Sequence, residues 1–382
     1  MRIKKKDLLF EERVKSQMSV PKEIKQLHDL FSKRGFKLYI VGGAVRDTLL
    51  DKPIKDYDLA TDAPPTKVED MLKKANIKTI GTGAAFGVIN AYMNDEEYEI
   101  ATFREDIGKG RRPDSVKFSD IETDVKRRDL TINALFYDIE TKEIVDLVGG
   151  MADIKNGVVR TVGDAEERFD EDRLRVLRAV RFAARVGSSL DPAIDKALKA
   201  NNSLEGVSEE RIRDEFLKGI KSAKSVKHFL ATLAKYGLLQ GVFKGVEPLN
   251  TNFIESHDKI LVMAMLLKGV DFETIGKKLN TIKYSVSEIR PIQFLLSFYQ
   301  TNNPDNFYTL KKMHEKSVIS DNTFLSFIEL VGGDTAFVHK FINFNFSITG
   351  DYVQKHLGIK PGPEMGKAIK QLETKLFFDS LK

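Results

Sequence analysis

The sequence predicts an α+β protein, with a mostly antiparallel sheet before about residue 150 and helices after it. Two patterns point to this. Before residue 150, short β-prone runs such as LYIV (38–41), GVINAY (87–92) and YEIATF (98–103) alternate with glycine turns. From Asp164 onward, apolar residues recur at helical spacing. At 382 residues the chain exceeds one ordinary core and implies several domains. A 42% hydrophobic and 31% charged composition describes a soluble globular protein, and no apolar run approaches the ~18 residues of a membrane helix. The start, MRIKKKDLLFEERVK, is basic but carries Asp7, Glu11 and Glu12, so it reads as neither a secretory signal nor a transit peptide. The absence of cysteine excludes disulfides, thiolate metal sites and cysteine nucleophiles, and fits a cytoplasmic protein. Net charge of +5 permits an RNA partner through local patches.

In order, residues 15–36 read as an opening helix, with Val20, Ile24, Leu27, Leu30 and Phe31 on one face and Gly35 as its stop. The stretch KLYIVGGAVRDTLLDKPIKDYDLATD, Lys37 to Asp62, reads as strand, glycine turn, helix and strand. Glycine admits a close ligand approach, and a helix N-terminus offers free N–H groups to phosphate. On a strand, Asp56 and Asp58 share a face, and two adjacent carboxylates suit a cation such as Mg²⁺. Taken singly, Gly42-Gly43 suits a tight turn and Asp-Tyr-Asp a solvated edge. Their order and spacing together point to phosphoryl or nucleotidyl transfer.

GGAVRD followed by DYDLAT resembles the active-site signature of the polymerase-β-like nucleotidyltransferases. More narrowly it resembles the class II CCA-adding enzymes (tRNA nucleotidyltransferases) and bacterial poly(A) polymerases. The resemblance implies that Asp56 and Asp58 hold two Mg²⁺ ions, and that Gly43 and Arg46 position the triphosphate of ATP or CTP.

Further along, Pro64-Pro65 ends the aspartate strand and Thr66 reads as the N-cap of a helix over 67–74. Residues 77–92 and 97–103, broken by Gly81, Gly83 and Gly87, read as strands completing a mostly antiparallel sheet. Acids on a strand usually face water, but the resemblance makes Glu99 a third catalytic carboxylate, with Glu97 on the same pleat face as its competitor. Residues 104–123 read as a polar surface loop. They resemble the family's flexible loop, which is linked to switching from C to A and is shortened in CC-only enzymes. RRDLTINAL, Arg127 to Leu135, reads as a salt-bridged start to a strand. By resemblance it binds the nucleotide sugar and phosphates, with Arg128 in contact and Asp129 and Asn133 holding it or reaching the ribose. EIVDLVGGMADIKNGVVRTVG reads as the close of the head, with strands on either side of Gly149-Gly150.

RFDEDRLRVLRAVRFAARVG carries Leu174, Leu177, Val180 and Ala184 as an apolar stripe. Asp172, Arg175, Arg178 and Arg181 form a neighbouring stripe in which arginines outnumber partners on their own face. EDRLR resembles the family's EDxxR motif, in which Asp and Arg act as a protein template for the incoming base. Asp172 and Arg175 inherit that role, and Arg178 and Arg181 fit the triphosphate or the primer end. SEERIRDEFLKGI reads as a supporting helix capped by Ser208, with Glu209 and Glu210 near the capping-box position. Ser256-His257-Asp258 lacks the further histidine motif of a metal phosphohydrolase. The last segment resembles the class II tail, where Pro361 and Pro363 break two helices. Lys355, Lys360, Lys367, Lys370 and Lys375 there offer a phosphate-tracking surface.

The resemblance divides the chain into a nucleotidyltransferase head (1–150), a neck with the nucleotide-selecting helix (151–222), a body (223–300) and a tRNA-binding tail (301–382). It implies C-C-A addition to the 3′ acceptor end of tRNA. An A-adding specialist, a poly(A) polymerase and a non-catalytic RNA-binding protein are the alternatives.

Overall fold

The computed structural model describes residues 11–108, 115–301, 306–344 and 347–381. Part of the expected flexible loop, 109–114, and the basic start, 1–10, lie outside the described residues. The chain forms two compact units, Met1–Val207 and Ser208–Lys382.

The first unit begins with β1 (Glu12–Lys15), α1 (Lys22–Ser32), β2 (Leu38–Val41), α2 (Gly43–Leu49), β3 (Asp58–Thr61) and α3 (Pro65–Lys74). Then come β4 (Lys78–Gly83), β5 (Val88–Met93), β6 (Glu96–Thr102), β7 (Arg104–Ile107), β8 (Ser115–Phe118) and α4 (Ile121–Asp124). It continues through β9 (Leu135–Asp138), β10 (Glu143–Asp146), α5 (Gly150–Asn156) and β11 (Val158–Val159). Last come α6 (Ala165–Glu171), α7 (Leu174–Val186), β12 (Ser189–Leu190) and α8 (Pro192–Ala200).

One eight-stranded sheet runs β1-β10-β9-β2-β3-β6-β5-β4. Every neighbouring pair is antiparallel except β3 with β6, which is parallel. β2 explains the uninterrupted LYIV run. Leu38 and Ile40 enter a core with Ile24, Leu27 and Phe31, while Tyr39 and Val41 enter a second core with Phe103 and Phe136. A strand buried on both faces is apolar at every position.

Several expectations change at the ends of elements. The opening helix starts at Lys22, because Pro21 fixes an extended N-cap (φ −54°, ψ 150°), and residues 12–15 pair with β10 instead. Thr66 is not an N-cap: Pro65 takes the first helical position of α3, where its missing N–H costs nothing. The polar stretch 104–123 holds the β7/β8 hairpin and then α4, whose N-cap Asp120 accepts the Thr123 N–H at 2.8 Å. Strands do lie on either side of Gly149-Gly150, β10 before and β11 after, but a helix, α5, comes between the glycines and β11. Asp146 is the reason, since its carboxylate collects the N–H groups of Val148, Gly149 and Met151 at 2.7–3.0 Å. A Cβ at Gly150 would run into the Thr131 carbonyl. The helical pattern from Asp164 is broken at Asp172, which is extended (φ −150°, ψ 105°) between α6 and α7.

The second unit is helical among its described residues. It comprises α9 (Glu209–Ser222), α10 (Val226–Lys235), α11 (Leu238–Val242), α12 (Lys259–Leu266), α13 (Phe272–Thr281) and α14 (Val286–Gln300). These are followed by α15 (Phe307–Ser317), α16 (Asp321–Leu330), α17 (Thr335–Asn343), α18 (Gly350–Leu357) and α19 (Pro363–Asp379). Ser208 sits at the N-cap of α9, but its side chain makes no cap bond. The core is aromatic, with Phe294, Phe324, Phe341 and Phe377 fully buried and Phe307 stacked on Phe377 at 4.0 Å. Asp258 caps α12 and accepts the Thr323 hydroxyl at 2.5 Å, while His257 Nδ1 lies 2.8 Å from the Ile220 carbonyl oxygen. That triplet is structural. Among the described residues no helix is long and apolar enough to cross a membrane.

Candidate active site

The acidic residues gather in the first unit. Gly42 turns the chain out of β2 with φ +69°, a left-handed conformation suited to glycine, and α2 starts at Gly43. β3 then pairs with β2 so that Asp58 lies opposite Val41, at the same end of the strand as the turn. Asp56 is not on the strand; it precedes it in irregular backbone and is exposed. The parallel pairing of β3 with β6 matches Leu59 to Ile100, which brings Glu99 alongside Asp58.

Electrostatics bear out that proximity. Burial raises the Asp58 carboxyl above its usual range; Arg128 opposes the rise and Asp56 adds to it. Asp58 and Glu99 are nonetheless both exposed, so burial acts on only part of each side chain. Burial likewise raises Glu99, with Asp58 and then Glu97 adding to it and Arg104 opposing. Glu97 is otherwise engaged, accepting hydrogen bonds from Asn90 at 2.5 Å and Tyr92 at 2.9 Å. Among the described residues no three His, Asp or Glu side chains form a ready-made metal cage. Oxygen donors crowded against like charge still fit a hard cation that takes its remaining ligands from substrate and water.

The basic residues assemble next to these acids, with partners that differ from those expected. Arg128 donates to Asp124 at 3.1 and 3.2 Å and lies 4.7 Å over the Phe136 ring. Asp129 does not hold Arg128. It accepts both Nε–H and Nη2–H of Arg178, at 2.7 and 2.6 Å. Burial alone would raise the Asp129 carboxyl, but Arg178 and the Leu130 N–H outweigh it and hold it low. Asn133 does not hold Arg128 either; its Oδ1 accepts from Arg46 at 2.5 Å. Arg46 itself is 2% exposed and doubly bonded to Asp47, so its guanidinium faces the interior rather than an open phosphate site.

On the selecting helix, Asp172 Oδ1 accepts the Leu174 N–H at 3.1 Å, which fixes the break before α7. Arg175 donates to Glu171 at 2.5 Å and to the carbonyls of Arg168 and Arg127, both at 3.2 Å. It lines a cavity of about 200 Å³ together with Glu105, Asp106, Arg127 and Glu171. An apolar cavity of about 470 Å³ in the second unit is walled by phenylalanines, and its Asp334 is occupied capping α17. The arginine stripe of α7 is not short of partners: Asp129 serves Arg178, and Asp47 serves Arg185 at 2.6 Å.

Sequence reasoning passed over Asp47 and Asp124, two buried carboxylates that hold this arrangement together. Asp124 had a signal, since Arg127 and Arg128 follow it at helical steps of three and four. Asp47 had none, because Arg185 is 138 residues away.

Comparison with known proteins bears on the family and the fold. Residues 38–160 match the family described as "Poly A polymerase head domain", and residues 189–249 the family described as "Probable RNA and SrmB- binding site of polymerase A". The chain is 34% identical over 360 residues to the CCA-adding enzyme of Lactobacillus helveticus (strain DPC 4571), covering 88% of each. It is 32% identical over 395 residues to that of Ligilactobacillus salivarius (strain UCC118), covering 95% of this chain and 94% of the other. The crystal structure of the Bacillus stearothermophilus CCA-adding enzyme in complex with CTP superposes with a TM-score of 0.74 at 27% identity, covering 94% and 93% of the two chains. With a mixed-sheet head, a helical remainder and identity above 30% along almost all of both sequences, this chain belongs to the family of CCA-adding enzymes, which are nucleotidyltransferases.

Proposed function

We propose that this protein adds C, C and A to the 3′ end of tRNA from CTP and ATP, without a nucleic-acid template. The observation that carries the reading is the β3–β6 register, which supports Asp58 and Glu99 acting together beside Asp56. Asp56 and Asp58 would hold Mg²⁺, two ions in this reading. Bound there, the metal would supply charge neutralisation at the attacking 3′-hydroxyl and at the departing pyrophosphate. Glu99, its carboxyl raised by burial and by Asp58, assists the metal or takes the hydroxyl proton. Arg128 meets the sugar and phosphates, held in place by Asp124 rather than by Asp129. Arg178, partly exposed, meets the triphosphate or the primer end, whereas Arg181, 6% exposed, lies too deep for the contact expected of it; Gly43 at the turn lets the backbone come close.

Asp172 and Arg175 select the base. The bonds that Arg175 makes through Nη1 and Nη2 leave its Nε–H and second Nη2–H as a forked donor pair. A donor fork beside the acceptor Asp172 suits the Watson–Crick edges of C and A better than those of U and G. The head, neck, body and tail divide at 150, 222 and 300, with the tail lysines tracking the acceptor stem; all five are described, and Lys367 also pairs with Glu364.

The test is single-nucleotide incorporation on tRNA transcripts ending at the discriminator base, at C and at CC. CTP and ATP are supplied apart and together, with Asp56→Ala as control. Addition of C, C and A that then stops is the expected result, and the control should be inert. Extension of only the CC-ended transcript would replace this reading with an A-adding specialist, and long A tails with a poly(A) polymerase.

A further inference from the structure

Arg178 and Arg185 stand two turns apart on one side of α7. Each is gripped by a carboxylate from another part of the first unit. Asp129 accepts the Nε and Nη2 edge of Arg178, and Asp47 of α2 accepts from Arg185 Nη2 at 2.6 Å. The two grips are connected. Asp47 is 5% exposed; its Oδ1 takes Nε–H and Nη2–H of Arg46 at 2.9 and 2.8 Å, which leaves Oδ2 for Arg185. Arg46 Nη1 donates to Asn133 Oδ1 at 2.5 Å, and Asn133 Nδ2 donates to Asp129 Oδ1 at 3.5 Å. A chain of hydrogen bonds therefore leaves α7 at Arg185, passes through Asp47, Arg46, Asn133 and Asp129, and returns to α7 at Arg178. Lys52, just past α2, adds a second tie by donating to the Arg185 carbonyl at 3.0 Å.

Buried ion pairs often add little net stability, because desolvation offsets their attraction; their use can lie in fixing one arrangement. Here the arrangement is that of α7, whose first turn carries Arg175, against α2, which opens at the Gly42-Gly43 turn. We infer that Asp47, acting through Arg185, is a positioning residue for base selection. The inference rests on the reading that Asp172 and Arg175 select the base. Along the helix axis Arg178 lies about 4.5 Å from Arg175 and about 10.5 Å from Arg185. With Arg178 as the pivot, a shift of about 2 Å at the Arg185 end moves the Arg175 end by about 1 Å. Misplacement of that size costs up to about a hundredfold where geometry decides the outcome. Base selection is such a case, since right and wrong bases differ in where their donors and acceptors lie.

The experiment compares full-length Arg185→Leu and Arg185→Lys with the parent protein. Leu removes the tie yet leaves Asp47 its pair with Arg46; Lys keeps a cation of similar reach for Oδ2. Incorporation of CTP against UTP is measured on transcripts ending at the discriminator base, and of ATP against GTP on transcripts ending at CC. Each comparison is read as a ratio of kcat/KM values, from which the fraction of folded enzyme cancels. The expected result is a ratio about tenfold lower in Arg185→Leu and within about threefold of the parent in Arg185→Lys. An unchanged ratio in Arg185→Leu would overturn the assignment whether or not turnover falls, because a loss of packing alone lowers all four nucleotides equally. Equal falls in both variants would overturn it too, since the charged tie would then be immaterial. Calorimetric titration of the same proteins with CTP and with UTP runs alongside. A parent protein that prefers CTP in binding but extends no tRNA would defeat the functional reading and leave the binding ratio to decide on Asp47.

Discussion

Asp58 and Glu99 are held where their charges are costly. Burial raises both carboxyl groups, helped by Asp56 at Asp58 and by Asp58 and Glu97 at Glu99, so ionising them disfavours the metal-free fold. For an acid whose pKa is higher in the folded chain, the native state binds more protons than the unfolded one, and stability falls as pH rises through that value. Asp58→Asn removes the charge at little cost in shape. Without metal, at pH 7, it should melt slightly higher than the parent, on the order of 1–2 °C because the group is partly screened by water. At pH 4 the gain should vanish. Mg²⁺ should raise the melting temperature of the parent and not that of the variant. A variant that melts lower at pH 7 without metal would show that Asp58 stabilises the fold and is not strained for function. Order and spacing singled out the pair of aspartates, but not their setting, since Asp56 precedes β3 and does not share a strand face with Asp58. Glu99 was not, because only the parallel register of β3 and β6 sets it apart from Glu97.

Between elements, carboxylates act as joints. Asp124 is 1% exposed and closes α4; it accepts from Arg127 at 2.7 Å and Arg128 at 3.1 Å, and from the backbone N–H of Arg104 at the start of β7 at 3.2 Å. The hairpin is thereby fastened to the residue expected to meet the nucleotide. Removing one partner of a buried pair strands the others, so Asp124→Ala should cost roughly 3 kcal/mol in urea unfolding. It should also raise KM for CTP and ATP together. Asp124→Asn, which keeps the shape and one acceptor, should lose less; equal losses would mean that the charge is immaterial. The hairpin itself was hidden in the sequence. REDI and SVKF lie mostly exposed, so no apolar alternation marks them as strands. LYIV was plain, because burial on both faces leaves an unbroken apolar run. The break at Asp172 was hidden too, since the residues on either side keep helical spacing and a single aspartate's bond to Leu174 makes the turn.

Across the whole molecule, the change from sheet to helix could be read from periodicity, but the division at Val207–Ser208 could not. It falls between α8 and α9, two amphipathic helices, and nothing in composition changes there. Strand order was equally hidden: β2 sits between β9 and β3, a pairing made by segments about a hundred residues apart. Each unit buries its own apolar residues, which makes stability and chemistry separable. The proposed catalytic and base-selecting residues all lie before Val207, whereas the aromatic core of Phe294, Phe307, Phe324, Phe341 and Phe377 belongs to the second unit. Phe377 joins α19 to that core through its stack on Phe307 and its edge contact with Phe344 at 5.2 Å. Phe377→Ala should therefore cost about 3–5 kcal/mol, all of it within the second unit. Calorimetry should show an earlier first transition in the variant and a later one at the position of the parent. CTP binding should stay within about twofold, since sites that share no partners respond independently. Affinity for tRNA should fall, because α19 carries Lys367, Lys370 and Lys375. A parallel loss of CTP binding would mean that the first unit depends on the second for its fold, and that nucleotide selection is a property of the whole chain.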